Sequence, residues 1–170
     1  KPVLLIMGGS LGSQKINQAV RNNLAALTKT FQIVHLCGKG NVEPSLESRN
    51  YRQFEYIKEE LPDILAMTDV VVSRAGSNSI HEFLALQKPM LLIPLSLAAS
   101  RGDQIANARS FRERGFAQVL EEEQLSDAAL LENIREVYES REKYIAAMKK
   151  EAETGSLEKL IGIIEGSAGR

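Results

Sequence analysis

The sequence has little of what metal, redox and cross-linked proteins depend on. Cys37 is its one cysteine, which excludes an internal disulfide and suits a reducing cytosol. The only histidines, His35 and His81, are far apart and no Asp-x-Asp pair occurs, so no metal is expected and no cofactor is implied. Neither G-x-x-x-x-G-K-[ST] nor G-x-G-x-x-G occurs, which removes the P-loop and the dinucleotide fingerprint. The net charge is −1 with no block of like charges, so a nucleic-acid surface is not indicated. No apolar run reaches membrane-spanning length and no signal peptide is present. Internal repeats and low-complexity linkers are lacking too. There is no initiator Met: the chain enters a strand straight after Lys1-Pro2 and reads as a piece whose partner segment lies upstream.

What is present is ordinary for a globular chain, 44% hydrophobic and 25% charged. Its length suits one domain or one lobe of a larger protein, here residues 1–166 with 167–170 as a fraying tail. Short apolar runs at Val3–Met7, Phe31–Leu36, Asp69–Ser73 and Met90–Pro94 read as strands covered on both faces. Tyr51–Tyr56 alternates as a strand, and Ala117–Leu120 is a last short one. Between them lie helices: one running from Ile16 to Leu27, then Glu60–Met67, Ser79–Leu86, and Asp103–Arg114 with Asp103 as its cap and Gly115 as its stop. Ser126–Ile164 is helical with a break near Thr154-Gly155-Ser156. This alternation predicts an α/β fold, a parallel sheet with helices on both faces.

Ligands of such sheets bind outside the carboxyl ends of the strands. That rim carries Gly8–Ser13, Ile57, Arg74–Ser79 and Leu95–Gln104, which hold most of the glycine and small polar residues. In Ser73–Glu82 (SRAGSNSIHE) a Gly/Ser turn opens a helix, leaving backbone N–H groups for an anion such as a phosphate. Glu82, further along, could meet a ribose hydroxyl pair; a capped helix with a solvated Glu is the plain alternative. Arg74 could face phosphate or pair with a carboxylate. Arg101, Asp103, Gln104 and Asn107 offer donors and acceptors suited to sugar hydroxyls. Gly8-Gly9-Ser10-Leu11-Gly12 fits G-x-S-x-G, a nucleophile elbow with Ser10 as nucleophile. A serine hydrolase, however, needs a late histidine that the chain lacks. The other readings of this loop are a turn approached by a diphosphate or sugar, and a plain tight turn. His35 and Cys37 read as packing, and His81 as surface.

Four motifs in order give the chain a family resemblance. They are Gly8-Gly9-Ser10-x-Gly12 with Asn17, Asp69-Val-Val-Val-Ser-Arg-x-Gly76 with Glu82, Lys88-Pro89 through Pro94, and Asp103-Gln104-x-x-Asn107-Ala108. From about Val3 to Met148 the sequence resembles the C-terminal domain of the MurG family, bacterial N-acetylglucosaminyltransferases of peptidoglycan synthesis. It is most similar to members with a Ser100–Gln104 stretch of the Ser-Arg-Gly-Asp-Gln type. The resemblance implies the C-terminal, Rossmann-like lobe of an inverting GT-B enzyme, binding UDP-N-acetylglucosamine. It implies that Ile57 meets uracil through its backbone and that Glu82 holds the ribose. Ser77, Asn78 and Ser10 would lie at the diphosphate, and Gln104 with Asp103 would read the sugar. Asp103 stands where many members have His or Gln, and Gln14-Lys15 replaces a common Ala-Arg. The catalytic base and the lipid I site would belong to a separate N-terminal lobe, with the full-length protein peripheral on the cytoplasmic face of the membrane. Other readings are a non-catalytic UDP-sugar-binding subunit needing a partner and another UDP-sugar GT-B enzyme such as an epimerase.

Overall fold

The computed structural model describes residues 1–8, 13–97 and 101–168, without the side chains of 156–168. Six parallel strands form one sheet: β1 (Val3–Met7), β2 (Gln32–Leu36), β3 (Tyr51–Phe54), β4 (Val70–Ser73), β5 (Met90–Leu92) and β6 (Ala117–Val119), in the order β3-β2-β1-β4-β5-β6. Leu5 stands opposite Val34 on one side and Val71 on the other. Leu4, Leu5, Ile6, Val70, Val71, Val72, Met90, Leu91 and Leu92 are wholly buried. This is why their strands read as continuous apolar runs rather than alternating ones.

The helices are α1 (Gln14–Asn22), α2 (Leu24–Thr30), α3 (Leu61–Met67), α4 (Ser77–Ala85), α5 (Asp103–Glu113), α6 (Asp127–Glu139) and α7 (Arg141–Ala168). α1 packs against α6, and α4 against α7. Right-handed crossovers that run one way from β1 and return the other way from β4 place these pairs on opposite faces. The reversal of direction falls between β1 and β4. Sheets of this winding take their ligands at such a reversal, here beyond the ends of β1 and β4 at Met7 and Ser73.

Several boundaries differ from expectation. The first helix is two, broken at Asn23, whose Nδ2 donates to the Ala19 carbonyl at 2.9 Å and to that of Asp127 in α6 at 2.8 Å. An asparagine that bonds back to the preceding turn and across to a neighbour interrupts the ladder. The C-terminal break lies at Ser140, not at Thr154-Gly155-Ser156, and α7 runs through Gly155. One glycine costs a helix only about 1 kcal/mol, whereas the Ser140 N–H closes α6 onto Glu136 and its carbonyl opens α7. α5 is capped not by Asp103 but by Gly102, whose φ of 88° is left-handed. Asp103 is the first helical residue, where its charge favours the helix dipole. Gly115 ends α5 as expected: its φ is 82°, and the N–H groups of Gly115 and Phe116 bond to Arg112 and Phe111. α4 begins two residues earlier than expected, so Ser77, Asn78 and Ser79 form its first turn.

Candidate donor-nucleotide site

The N-terminus of α4 is open. Its cap, Gly76, brings no side-chain hydrogen bond. Among the described residues, no protein acceptor faces the backbone N–H groups of Ser77, Asn78 or Ser79. Unsatisfied N–H groups at a helix start carry partial positive charge and attract anions. Gly76 has φ −67°, an ordinary value for any residue, so the backbone does not demand glycine. An added Cβ would project into space with nothing within 4 Å. Room for a close approach to the helix tip is what the missing side chain provides.

The tip borders a cleft of about 380 Å³ lined by Met7, Leu36, Glu55, Tyr56, Ile57, Lys58 and Ser79. These residues come from the ends of β1, β2 and β3 and from the first turn of α4. Tyr51–Tyr56 is strand only as far as Phe54. Glu55 and Tyr56 leave the sheet there and become wall. Met7, Leu36, Tyr56 and Ile57 give an apolar lining suited to a flat ring. The structure thus brings Ile57 together with the α4 tip. Glu82 lies on the same face of α4 as Ser79, three residues on. It is exposed and makes no side-chain hydrogen bond or ion pair among the described residues. Ser10, a candidate from sequence, lies outside the described residues.

Asp103 is exposed and Gln104 half-buried at the start of α5, whose side chains reach the turn after β4. The Gln104 Oε1 accepts from the N–H of Ala75 at 3.2 Å and from that of Leu95 at 3.0 Å. Asn107 Nδ2 donates to the Ala75 carbonyl at 3.1 Å. Two side chains one helical turn apart therefore grip Ala75 by both backbone polar groups and hold the chain where it enters α4. With its oxygen committed to two donors, Gln104 has only its NH₂ to offer a ligand. The sequence pattern Gln-x-x-Asn held this signal, because i and i+3 share a helix face.

Arg74, left open between phosphate and carboxylate, is buried and pairs with Glu122 at 3.3 Å. His81 is at the surface, its Nδ1 within 2.7 Å of the Ser77 carbonyl. His35 is wholly buried, with Nδ1 at 2.6 Å from Tyr51 Oη and Nε2 at 2.8 Å from Asn17 Oδ1. Asn17 Nδ2 donates to the Cys37 carbonyl, so its Oδ1 is the acceptor. This assigns the His35 proton to Nε2 and the Tyr51 proton to the bond with Nδ1. Burial, and then the charge of Arg21, push His35 down to about 3, while burial pushes Tyr51 up to about 12 and raises Cys37. A neutral imidazole with both nitrogens spent is unsuited to act as base for a rim serine, which weighs against the hydrolase reading. Among the described residues, no group of three or more His, Cys, Asp or Glu could hold a metal ion. No helix there is long and apolar enough to cross a membrane.

Comparison with known proteins shows what the whole chain is similar to. The curated UDP-N-acetylglucosamine–N-acetylmuramyl-(pentapeptide) pyrophosphoryl-undecaprenol N-acetylglucosamine transferase of Geobacillus kaustophilus is 57% identical over 99% of this chain and 47% of its own length. Transferase 2 of the same description from Bacillus cereus is 60% identical over 88% of this chain and 43% of its own. The chain spans about half the length of the curated relatives it matches. The crystal structure of Acinetobacter baumannii MurG superposes with a TM-score of 0.72 at 24% identity, covering 87% of this chain and 44% of that one. This likeness extends the match to the fold. Residues 3–161 match the model of the glycosyltransferase family 28 C-terminal domain, and to that family this chain belongs.

Proposed function

We propose that residues 1–166 are the donor-binding domain of a GT-B glycosyltransferase, a UDP-GlcNAc-dependent hexosyltransferase. The reaction is transfer of N-acetylglucosamine from UDP-N-acetylglucosamine to lipid I, giving lipid II for peptidoglycan. The open first turn of α4 beside an apolar cleft is the observation that carries this reading. In it the uracil enters the cleft against the backbone of Ile57 and the ribose hydroxyls bond to Glu82. The diphosphate meets the N–H groups and side chains of Ser77 and Asn78, with Ser10 nearby. The Gln104 NH₂ and Asp103 read the sugar hydroxyls. Negative charge grows on the leaving diphosphate as the glycosidic bond breaks, and a fixed helix terminus stabilises it without reorganising. The general base and the lipid acceptor site belong, in this reading, to a separate N-terminal lobe that places the enzyme at the cytoplasmic face of the membrane. The isolated chain accordingly binds donor and does not turn over.

The test is titration of UDP, UDP-N-acetylglucosamine and UDP-glucose into the ¹⁵N-labelled chain, followed by NMR. UDP should shift Ser77, Asn78 and Ile57 first, and Glu82→Ala should weaken it by about 1.5 kcal/mol, a hydrogen bond to a charged group. Shifts confined to other surfaces, or an unaltered affinity, would remove this site from the account.

A further inference from the structure

Four loops at the carboxyl edge of the sheet meet at one side chain that the proposed donor contacts do not include. Arg74 follows β4 and is 7% exposed. Its Nη2 donates to Ser13 Oγ at 2.8 Å, in the loop after β1, and to Glu122 Oε1 at 3.3 Å, just beyond β6. Its Nη1 donates to the Ile93 carbonyl at 3.2 Å and the Pro94 carbonyl at 3.4 Å, beyond β5. Glu122 carries the arrangement further. Its Oε2 accepts from the Ser96 N–H at 3.2 Å, and the exposed Lys15 lies at 3.8 Å from Oε1. Ser13, held by Arg74, also caps α1.

A buried ion pair is a poor stabiliser, because desolvating both charges consumes most of their attraction. What this one does is fix geometry. It ties together the segments that follow β1, β4, β5 and β6, and the residue after Arg74 is Ala75, the peptide gripped by Gln104 and Asn107. The residue after that is Gly76, the cap of α4. We propose that Glu122 is a positioning residue for the anion site at the α4 tip: it acts through Arg74 to hold the Arg74-Ala75-Gly76 turn, and hence the direction in which the N–H groups of Ser77 and Asn78 point, without touching the ligand. This rests on the donor-nucleotide reading above, which identifies the anion as a nucleoside diphosphate.

The experiment compares the wild-type chain with Glu122→Ala and Glu122→Gln in two measurements. Amide hydrogen exchange reads the turn with no ligand present, and titration with UDP reads the site. In Glu122→Ala, exchange at Ala75, Leu95 and Ser96 should quicken about tenfold or more while Leu5 and Val71 keep their protection, the pattern of a local opening. UDP should bind about tenfold more weakly, the loss expected when the turn holds its binding-competent arrangement only about a tenth of the time. Glu122→Gln keeps a side-chain oxygen for the Arg74 Nη2 and should recover most of that affinity. Should Glu122→Ala not fold, Glu122→Gln carries the test alone, with a smaller quickening at the same three amides. Loss of protection spread evenly through the core strands would mean a role in stability only and overturn the proposal. So would unchanged exchange at Ala75, or a loosened turn with unchanged UDP affinity. A wild-type chain that does not bind UDP overturns the donor reading instead, and the exchange result then decides separately whether Glu122 holds the turn.

Discussion

Two polar clusters lie within this sheet's reach, and they differ in how much of their hydrogen-bonding capacity is spent. Around β2 and β3, His35, Asn17, Tyr51, Cys37 and Gln53 form a network that also takes in Arg21, whose Nε is buried without a partner while its Nη2 is bonded. Around the start of α4, by contrast, three backbone N–H groups and the Glu82 carboxylate lack protein partners among the described residues. The residue types are similar in kind. Burial with nearly every group paired makes a cluster structural; exposure with unspent donors leaves groups available for a ligand. The histidine His35 is thus spent on packing, while the helix start at Gly76, Ser77 and Ser79 keeps its donors unspent among the described residues.

The largest effect that could break this contrast is in the buried network. Asn17→Ala leaves the His35 Nε2–H buried without a partner and removes one of the two donors to the Cys37 carbonyl, the other being Asn41 Nδ2, and should cost about 2–3 kcal/mol in urea unfolding. A cost under about 1 kcal/mol would show the network to be less closed than its geometry indicates.

Acid should act on the same cluster. His35 titrates near 3 when folded and near its ordinary 6.5 when unfolded, so below pH 6.5 the unfolded chain binds the extra proton. Stability is then lost as pH falls from 6.5 towards 3, by about 1.4 kcal/mol per unit, or about 2 kcal/mol between pH 7 and 5. The same denaturation series with His35→Gln, whose side chain does not titrate, should be flatter; an equal slope would assign the effect to other groups.

The open cluster should behave in the opposite way. Glu82→Ala should lower UDP affinity by the 1.5 kcal/mol or so given above and leave the melting temperature unmoved, since nothing in the described fold depends on that carboxylate. A drop in melting temperature would reveal a structural partner and blur the distinction.

The smallest effect lies at the far end of the same helix. Gln87 has φ 55°, and the N–H groups of Gln87 and Lys88 bond to Leu84 and Phe83, a left-handed stop usually given to glycine. Gln87→Gly should raise stability by roughly 0.5–1 kcal/mol with UDP binding unchanged.

Much of this arrangement was legible in the sequence, though unevenly. Val3–Met7 and Val70–Ser73 could be read because a strand covered on both faces has no polar residue to hide. Gly115 could be read because a left-handed stop is a local property. Asn23 was missed because its interrupting bond to Asp127 reaches across more than a hundred residues of chain. Gly102 took the capping role expected of Asp103 because its left-handed φ of 88°, which glycine adopts freely, sets where the helix begins. Arg74 was left between two readings because its counter-ion, Glu122, lies 48 residues further along the chain. Gln104 and Asn107 were visible as polar groups on the rim, but not as the grip on Ala75.

The sequence by itself determined the alternation of strands and helices, the rim on which small polar residues collect, and the family, since these depend on periodicity and on motifs local to the chain. Only the tertiary structure decided which polar groups are used up and which remain available. Hydrogen-bond satisfaction is a property of neighbours in space, and the partners here, Gln104 for Ala75, Glu122 for Arg74 and Asn17 for His35, are brought together by the winding of the sheet.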